Sequence, residues 1–274
     1  MRPDWAAASD HATFGEPGPN RESREITGMR LASDTGNGNA LVLVCALLCD
    51  ERLFREQMQQ LERQARVLVA VPDGDASLEA QALTLLDLLK ARGIRRFALG
   101  GVSMGGYLAQ ALVGVAPDVV TALALIDTRC RADVPAARTG RLATIDALNQ
   151  GRFETELDAL IPRLLSEDSL ARTEIRDMVR AMARTLGARV WTRQLHALLE
   201  RRDTREVLMR YQGPSLCLCG SRDQLTPPAE HREMASLLPQ GQYRVIPGNV
   251  GHLSPLEDPI AVNRVLAEFF GPVL

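Results

Sequence analysis

The chain has 274 residues, 46% of them hydrophobic, and a formal net charge of −2 from 32 Lys and Arg against 34 Asp and Glu. That length buries a sizeable core and suits one α/β domain carrying an insertion. The near-neutral balance gives no electrostatic basis for holding nucleic acid or an anionic membrane, and no apolar run reaches spanning length.

Residues 1–28 are polar and rich in Pro and Gly, and Gly15-Glu16-Pro17-Gly18-Pro19 cannot hold regular structure. They lack the apolar stretch of a secretion signal, so an irregular tail is expected, with Met29 as an alternative start. Residues 25–32 supply a first strand, or two short ones. Strand-like apolar runs follow at 40–46, 66–71, 97–102, 122–126, 215–219 and 243–246. They are nearly continuous rather than alternating, which marks strands covered on both faces of a parallel sheet. Between them lie helical patterns at 53–64, 78–92, 105–115, 229–238 and 260–270. In 78–92, Leu78, Leu85, Leu86 and Leu89 form the apolar stripe, Ser77 is the N-cap and Gly93 the stop.

One connection is far longer than the dozen or so residues a crossover needs. From 126 to 215 the pattern gives only helices, at 138–148, 153–165, 169–186 and 190–200, punctuated by Pro135, Gly151, Pro162 and Gly187. The expected division is a tail at 1–28, a core at 29–130 and 208–274, and a helical segment at 131–207.

The chemistry concentrates at Gly101-Val102-Ser103-Met104-Gly105, directly after the run at 97–99. A strand turning abruptly into a helix lifts a serine hydroxyl above the sheet, and glycines two positions either side remove the Cβ atoms that would collide. The helix start behind the serine offers unpaired N–H groups to an oxyanion. A free serine hydroxyl is too weak a nucleophile and needs a base. His252, in a Gly251-His252 loop after an apolar run, is the candidate; His11, His196 and His231 read as structural or solvated. Asp223 follows another apolar run and would orient the imidazole, whereas Asp127, at the end of the run 122–126, is a competing acid or an anchor for the helical segment.

The five cysteines, Cys45, Cys49, Cys130, Cys217 and Cys219, lack disulfide-framework spacing. Cys217 and Cys219 share one face of a strand, and they read as small buried hydrophobes rather than a metal pair. Reduced thiols fit a cytoplasmic protein. Neither metal nor cofactor is expected.

The segments 41–54, 100–106, 220–228 and 251–259, with serine, aspartate and histidine in that order, resemble the α/β-hydrolase-fold serine hydrolases over roughly 38–271. The likeness is strongest to capped bacterial esterases such as the pimeloyl-acyl-carrier-protein methyl ester esterases. It implies a mostly parallel sheet with helices on both faces, and a helical cap inserted before the last strands. It also implies an oxyanion hole formed by the backbone N–H groups of Leu47 and Met104. At Ala46 the chain departs from the family's customary glycine; a positive φ there would strain alanine and misaim the hole. Leu48, Met178, Met182 and Trp191 are expected around the pocket.

These expectations favour hydrolysis of a small-to-medium, apolar carboxylic ester through an acyl-enzyme. Carbon–carbon bond hydrolysis, acyl transfer and haloperoxidase-like chemistry use the same skeleton, and a non-catalytic ligand binder is the alternative from another class. The expected partner is a small-molecule ester, with no nucleic acid and no membrane. Oligomeric state is not legible.

Overall fold

The computed structural model describes residues 28–274; the tail expected at 1–28 lies outside the described residues apart from Gly28. The strands are β1 (Met29–Thr35), β2 (Ala40–Val44), β3 (Arg66–Pro72), β4 (Phe97–Val102), β5 (Val120–Ile126), β6 (Ser215–Gly220) and β7 (Gly241–Ile246). They form one sheet in the order β1-β3-β2-β4-β5-β6-β7. β1 pairs antiparallel with β3, and every other neighbouring pair is parallel. This is the α/β-hydrolase fold.

Among the described residues the first strand starts at Met29, with Met29 through Leu31 pairing with Pro72 through Ala70 and Ser33 through Thr35 with Val69 through Val67 of β3; positions 25–27 of the expected strand lie outside the described residues. The central strands β2, β4 and β6 are buried at every residue, as near-continuous apolar runs require. At the sheet edge, β7 instead alternates between half-buried and exposed positions.

Helices cover both faces. On one side stand α1 (Arg55–Leu61), preceded by a 3-10 turn at Glu51–Phe54, and α11 (Pro259–Phe270). The α11 residues Val262, Leu266 and Phe270, four apart, are fully buried. Each contributes about 1.5–3 kcal/mol of burial. On the other side lie α2 (Leu78–Ala91), α3 (Met104–Val115) and α9 (Pro228–Leu237). Ser77 caps α2 by accepting the Ala80 N–H at 3.2 Å, and Gly93 follows its end at φ 75°. A short α10 (Ser254–Glu257) precedes α11.

Between β5 and β6 runs the all-helical insertion: α4 (Pro135–Asn149), α5 (Phe153–Leu164), α6 (Glu167–Ala171), α7 (Thr173–Leu199) and α8 (Arg205–Arg210). The two helices expected either side of Gly187 meet there at a sharp kink, with φ 74° and ψ 176°. Only glycine holds that conformation without a side-chain penalty. The sequence pattern missed α8, a six-residue helix too short to show a period. It packs on α3 and α9 and straddles the boundary expected at 207/208.

Candidate active site

Ser103 sits alone between the last residue of β4 and the first of α3, at φ 52° and ψ −110°. A non-glycine residue in that region is strained by about 1–3 kcal/mol and must be held by its surroundings. The Ser103 N–H donates to the Ile126 carbonyl at 2.9 Å, and the Thr128 hydroxyl donates to the Ser103 carbonyl at 2.8 Å. A Cβ on Gly101 would stand 2.2 Å from the Gly105 carbonyl oxygen, and one on Gly105 would stand 2.1 Å from that of Val44. Both glycines of the motif are therefore required by contact with backbone.

His252 lies in the loop after β7. Its Nε2 is 2.8 Å from Ser103 Oγ, and its Nδ1 is 3.0 and 2.9 Å from the two carboxylate oxygens of Asp223. With Nδ1–H donating to Asp223, Nε2 is left to accept the serine hydroxyl. Asp223 is itself fixed by the N–H groups of Leu225 and Thr226, at 2.9 and 3.0 Å, and by the Thr226 hydroxyl at 2.6 Å. Burial disfavours a charged imidazole, yet the adjacent Asp223 carboxylate and its hydrogen bond outweigh burial and raise His252 above its ordinary value. For Asp223 burial again opposes charge, and the His252 charge with the His252 and Thr226 hydrogen bonds holds it below the usual carboxylate range.

Asp127, the competing acid, makes no hydrogen bond to His252 among the described residues. Its Oδ1 accepts the Gly220 N–H at 3.1 Å, and its Oδ2 accepts the Ser254 N–H at 2.9 Å and the Ser254 hydroxyl at 2.6 Å. It ties the end of β6 to the segment after His252, rather than anchoring the start of the insertion. Burial first, then the like charge of Asp223, pushes its carboxyl well above the usual range. His231 is buried and accepts the Thr128 N–H at Nε2, 2.9 Å away; burial lowers it to about 4, so it stays neutral.

A second acid sequence reasoning missed is Glu257 of α10. It accepts the N–H groups of Gly251 and Leu253, the two neighbours of His252, at 3.0 and 3.1 Å. It also takes the Ser166 N–H from the insertion. The His252 N–H donates to the Leu164 carbonyl at 3.0 Å. The spacing His252 to Glu257, a histidine followed by a one-turn helix, was the only signal available.

Leu47 and Met104 line the cavity beside Ser103. Met104 opens α3, so its N–H has no carbonyl one turn back to accept it. The Leu47 N–H has no acceptor among the described residues. Ala46 is not at positive φ. The strained position is Leu48, at φ 56°, whose N–H donates to Gln194 Oε1 at 3.0 Å while Gln194 Nε2 donates to the Pro72 carbonyl at 2.7 Å. The backbone strain anticipated at Ala46 is therefore absent.

The cavity above Ser103 holds about 620 Å³, within the range of small-molecule sites. Of the expected pocket residues Trp191 lines it, edge-on to Phe153 with ring centroids 5.7 Å apart. Leu48, Met178 and Met182 do not. Met182 is buried in, and Met178 packs against, the apolar cluster that the insertion shares with the core, and Leu48 is buried within the loop after β2. Helical periodicity identifies a buried stripe but not whether a cavity or a neighbouring helix covers it. All five cysteines are buried and free, and burial pushes the Cys130 thiol up to about 12. No helix among the described residues is long and apolar enough to cross a membrane.

Known proteins bear on this geometry. A solved structure of a thermophilic esterase from Thermogutta terrifontis, with malate bound, superposes with a TM-score of 0.84 at 31% identity, covering 89% of this chain and 93% of that one. An sn-1-specific diacylglycerol lipase of Mus musculus is 30% identical over 65% of this chain and 60% of its own length. A pimeloyl-[acyl-carrier protein] methyl ester esterase of Xanthomonas oryzae pv. oryzae is 34% identical over 44% of this chain and 51% of its own. The family described as the alpha/beta hydrolase fold matches residues 72–259. With its sheet order, its helical insertion and a match over more than half its length, the chain belongs to the alpha/beta hydrolase fold family.

Proposed function

We propose that the protein is a serine hydrolase that cleaves a carboxylic ester through an acyl-enzyme, with Ser103 as nucleophile, His252 as general base and acid, and Asp223 as the group that orients and stabilises the imidazolium. The observation that carries this reading is the continuous hydrogen-bonded chain from Ser103 Oγ through both ring nitrogens of His252 to Asp223. As Ser103 Oγ attacks the ester carbonyl, its proton passes to His252 Nε2. The carbonyl π electrons move onto oxygen, where the N–H groups of Leu47 and Met104 receive the charge. Collapse breaks the C–O bond, and His252 returns its proton to the departing alcohol. Water then repeats the sequence on the acyl-enzyme, releasing a carboxylic acid and restoring the serine hydroxyl.

In this reading the helical insertion acts as a cap over the serine. Leu160, Leu164, Trp191, Leu195 and Leu198 from it, with Leu225 opposite, supply an apolar wall for an acyl chain of small or medium length. A fluorophosphonate probe tests the proposal. Stoichiometric labelling at Ser103, with p-nitrophenyl ester hydrolysis abolished by Ser103→Ala, is expected; inertness of the folded protein toward both reagents overturns it.

A further inference from the structure

Among the described residues, three arginines, Arg129, Arg141 and Arg163, line the cavity that contains Ser103 and His252, and no aspartate or glutamate does. Arg129 follows β5; Arg141 and Arg163 come from α4 and α5. The acid behind them is Asp133, whose side chain is 2% exposed. It receives Arg129 at 3.1 Å, Arg141 through Nε at 2.6 Å and Arg201 at 2.6 Å. Despite burial, the hydrogen bonds and charges of Arg141 and Arg201 hold Asp133 at about 2, so it carries one full negative charge.

One carboxylate thus faces three guanidinium groups, and the third of them, Arg201, is occupied elsewhere. It lies 4.1 Å from the Tyr107 ring and donates to the Arg131 carbonyl. Arg163 has no ion-pair or hydrogen-bond partner among the described residues, and Arg141 commits only its Nε, leaving its two terminal amino groups without one. Arg129 Nε is buried and has no partner either. Beside this buried donor stand the unpaired guanidinium groups of half-buried Arg141 and exposed Arg163, so an anion entering the cavity gains charge-assisted partners. The guanidinium fork matches the two oxygens of a carboxylate or phosphate.

We propose that the substrate is an ester bearing an anionic oxyacid group away from its scissile carbonyl, held by Arg163 and Arg141 with Arg129 behind them. This rests on the hydrolase reading above and specifies the substrate class of the same site. The apolar wall contacts the intervening carbon chain, and a half-ester of a dicarboxylic acid combines both features. Neutral esters of equal length bind without the charge-assisted contacts.

The test compares kcat/KM for monomethyl esters of four- to eight-carbon dicarboxylic acids with that for the matching neutral dimethyl esters, with a phosphate-bearing ester as a third arm. The half-esters, the phosphate ester, or both are expected to be preferred by about tenfold or more, the preferred arm naming the anion. The preference should shrink as salt is raised. Arg163→Ala should lower the anionic-to-neutral ratio by about tenfold, with Arg163→Lys restoring part of it. In parallel, adipate and inorganic phosphate are titrated against the Ser103→Ala protein, with a rise in melting temperature that Arg163→Ala abolishes as the expected result. Neutral esters equal to or better than both anionic arms, with no anion-induced shift in the Ser103→Ala protein, overturn the proposal. Failure to hydrolyse any ester while the anion still stabilises the Ser103→Ala protein removes the hydrolase reading and leaves the anion site standing.

Discussion

Ser166 donates its backbone N–H to Oε2 of Glu257 at 2.9 Å, across the boundary between the helical insertion and the sheet. The same carboxylate holds the N–H groups either side of His252, and the His252 N–H reaches back to Leu164. Insertion and histidine loop are thereby one hydrogen-bonded unit. Opening the cavity by lifting α5 away from this loop would break both hydrogen bonds that cross the boundary, Ser166 to Glu257 and His252 to Leu164, and displace the imidazole.

Glu257→Ala leaves three buried N–H groups without their acceptor, each worth about 1–3 kcal/mol when unpaired. The expected result is a melting temperature several degrees lower and a fall in kcat on a neutral ester, with KM changing less. Glu257→Gln keeps one acceptor oxygen and should lie between. Thermal melts and steady-state kinetics on the same preparations check both, and unchanged turnover in the alanine variant would show that the loop holds its register without the carboxylate.

Asp223 and Asp127 should separate cleanly. Asp223→Asn turns the imidazole to the wrong tautomer, and kcat is expected to fall by about 10⁴. Asp127→Asn must place an amide group against the N–H of Gly220 or Ser254, costing about 1–3 kcal/mol of stability while largely sparing turnover below the melting transition. Kinetics and melting curves of the two variants side by side decide this, and equal catalytic losses would return Asp127 to the reaction.

The pH dependence follows from His252. In the proposed reaction its base form is the active one, and its value in the folded protein is raised, so kcat/KM should rise with pH to a midpoint above the ordinary histidine value of about 6.5. Stability linked to this group runs the other way. It is fully present below the unfolded value and lost as pH rises through the folded one. Asp223, lowered in the fold, contributes above its unfolded value of about 3.9, and that contribution is lost as pH falls through its folded value. A pH–rate profile with the midpoint below 6.5 would contradict the raised imidazole.

Gln194 ties the strained Leu48 position to β3 and so sets the direction of the neighbouring Leu47 N–H. Gln194→Leu removes both contacts. With one donor loosened rather than deleted, kcat should fall by about tenfold, less than the 2.7–4 kcal/mol that a missing oxyanion donor costs. The check is the kcat against KM split on a neutral ester, where a change confined to KM would exclude an effect on charge stabilisation.

What could be read in advance divides along physical lines. Near-continuous apolar runs located β2 through β6, because burial on both faces demands them, and Gly101 and Gly105 flagged the bend because backbone contact forbids a Cβ there. The positions of Asp223 and His252 were legible as loops at strand ends. Met178 and Met182 were misplaced because a buried stripe looks alike whether it faces a helix or a void. Glu257 and Gln194 were not legible and the arginine wall could not be assembled, since their partners range from 4 to 146 residues away and the distant ones meet only on folding. The concern over Ala46 failed because the left-handed turn falls at Leu48, which Gln194 supports.

The kink at Gly187 makes the distal half of α7 a lever arm. The twelve residues beyond it, 188–199, extend about 18 Å, and they carry Trp191, Leu195 and Leu198 onto the cavity wall as well as Gln194 under the β2 loop. Re-aiming that arm by about 20° would sweep its tip by about 6 Å. No atom crowds the position where a Cβ would stand on Gly187, so the backbone angle alone limits what can replace it. One torsion, remote from the serine, governs the breadth of the chamber and the set of the loop after β2 together.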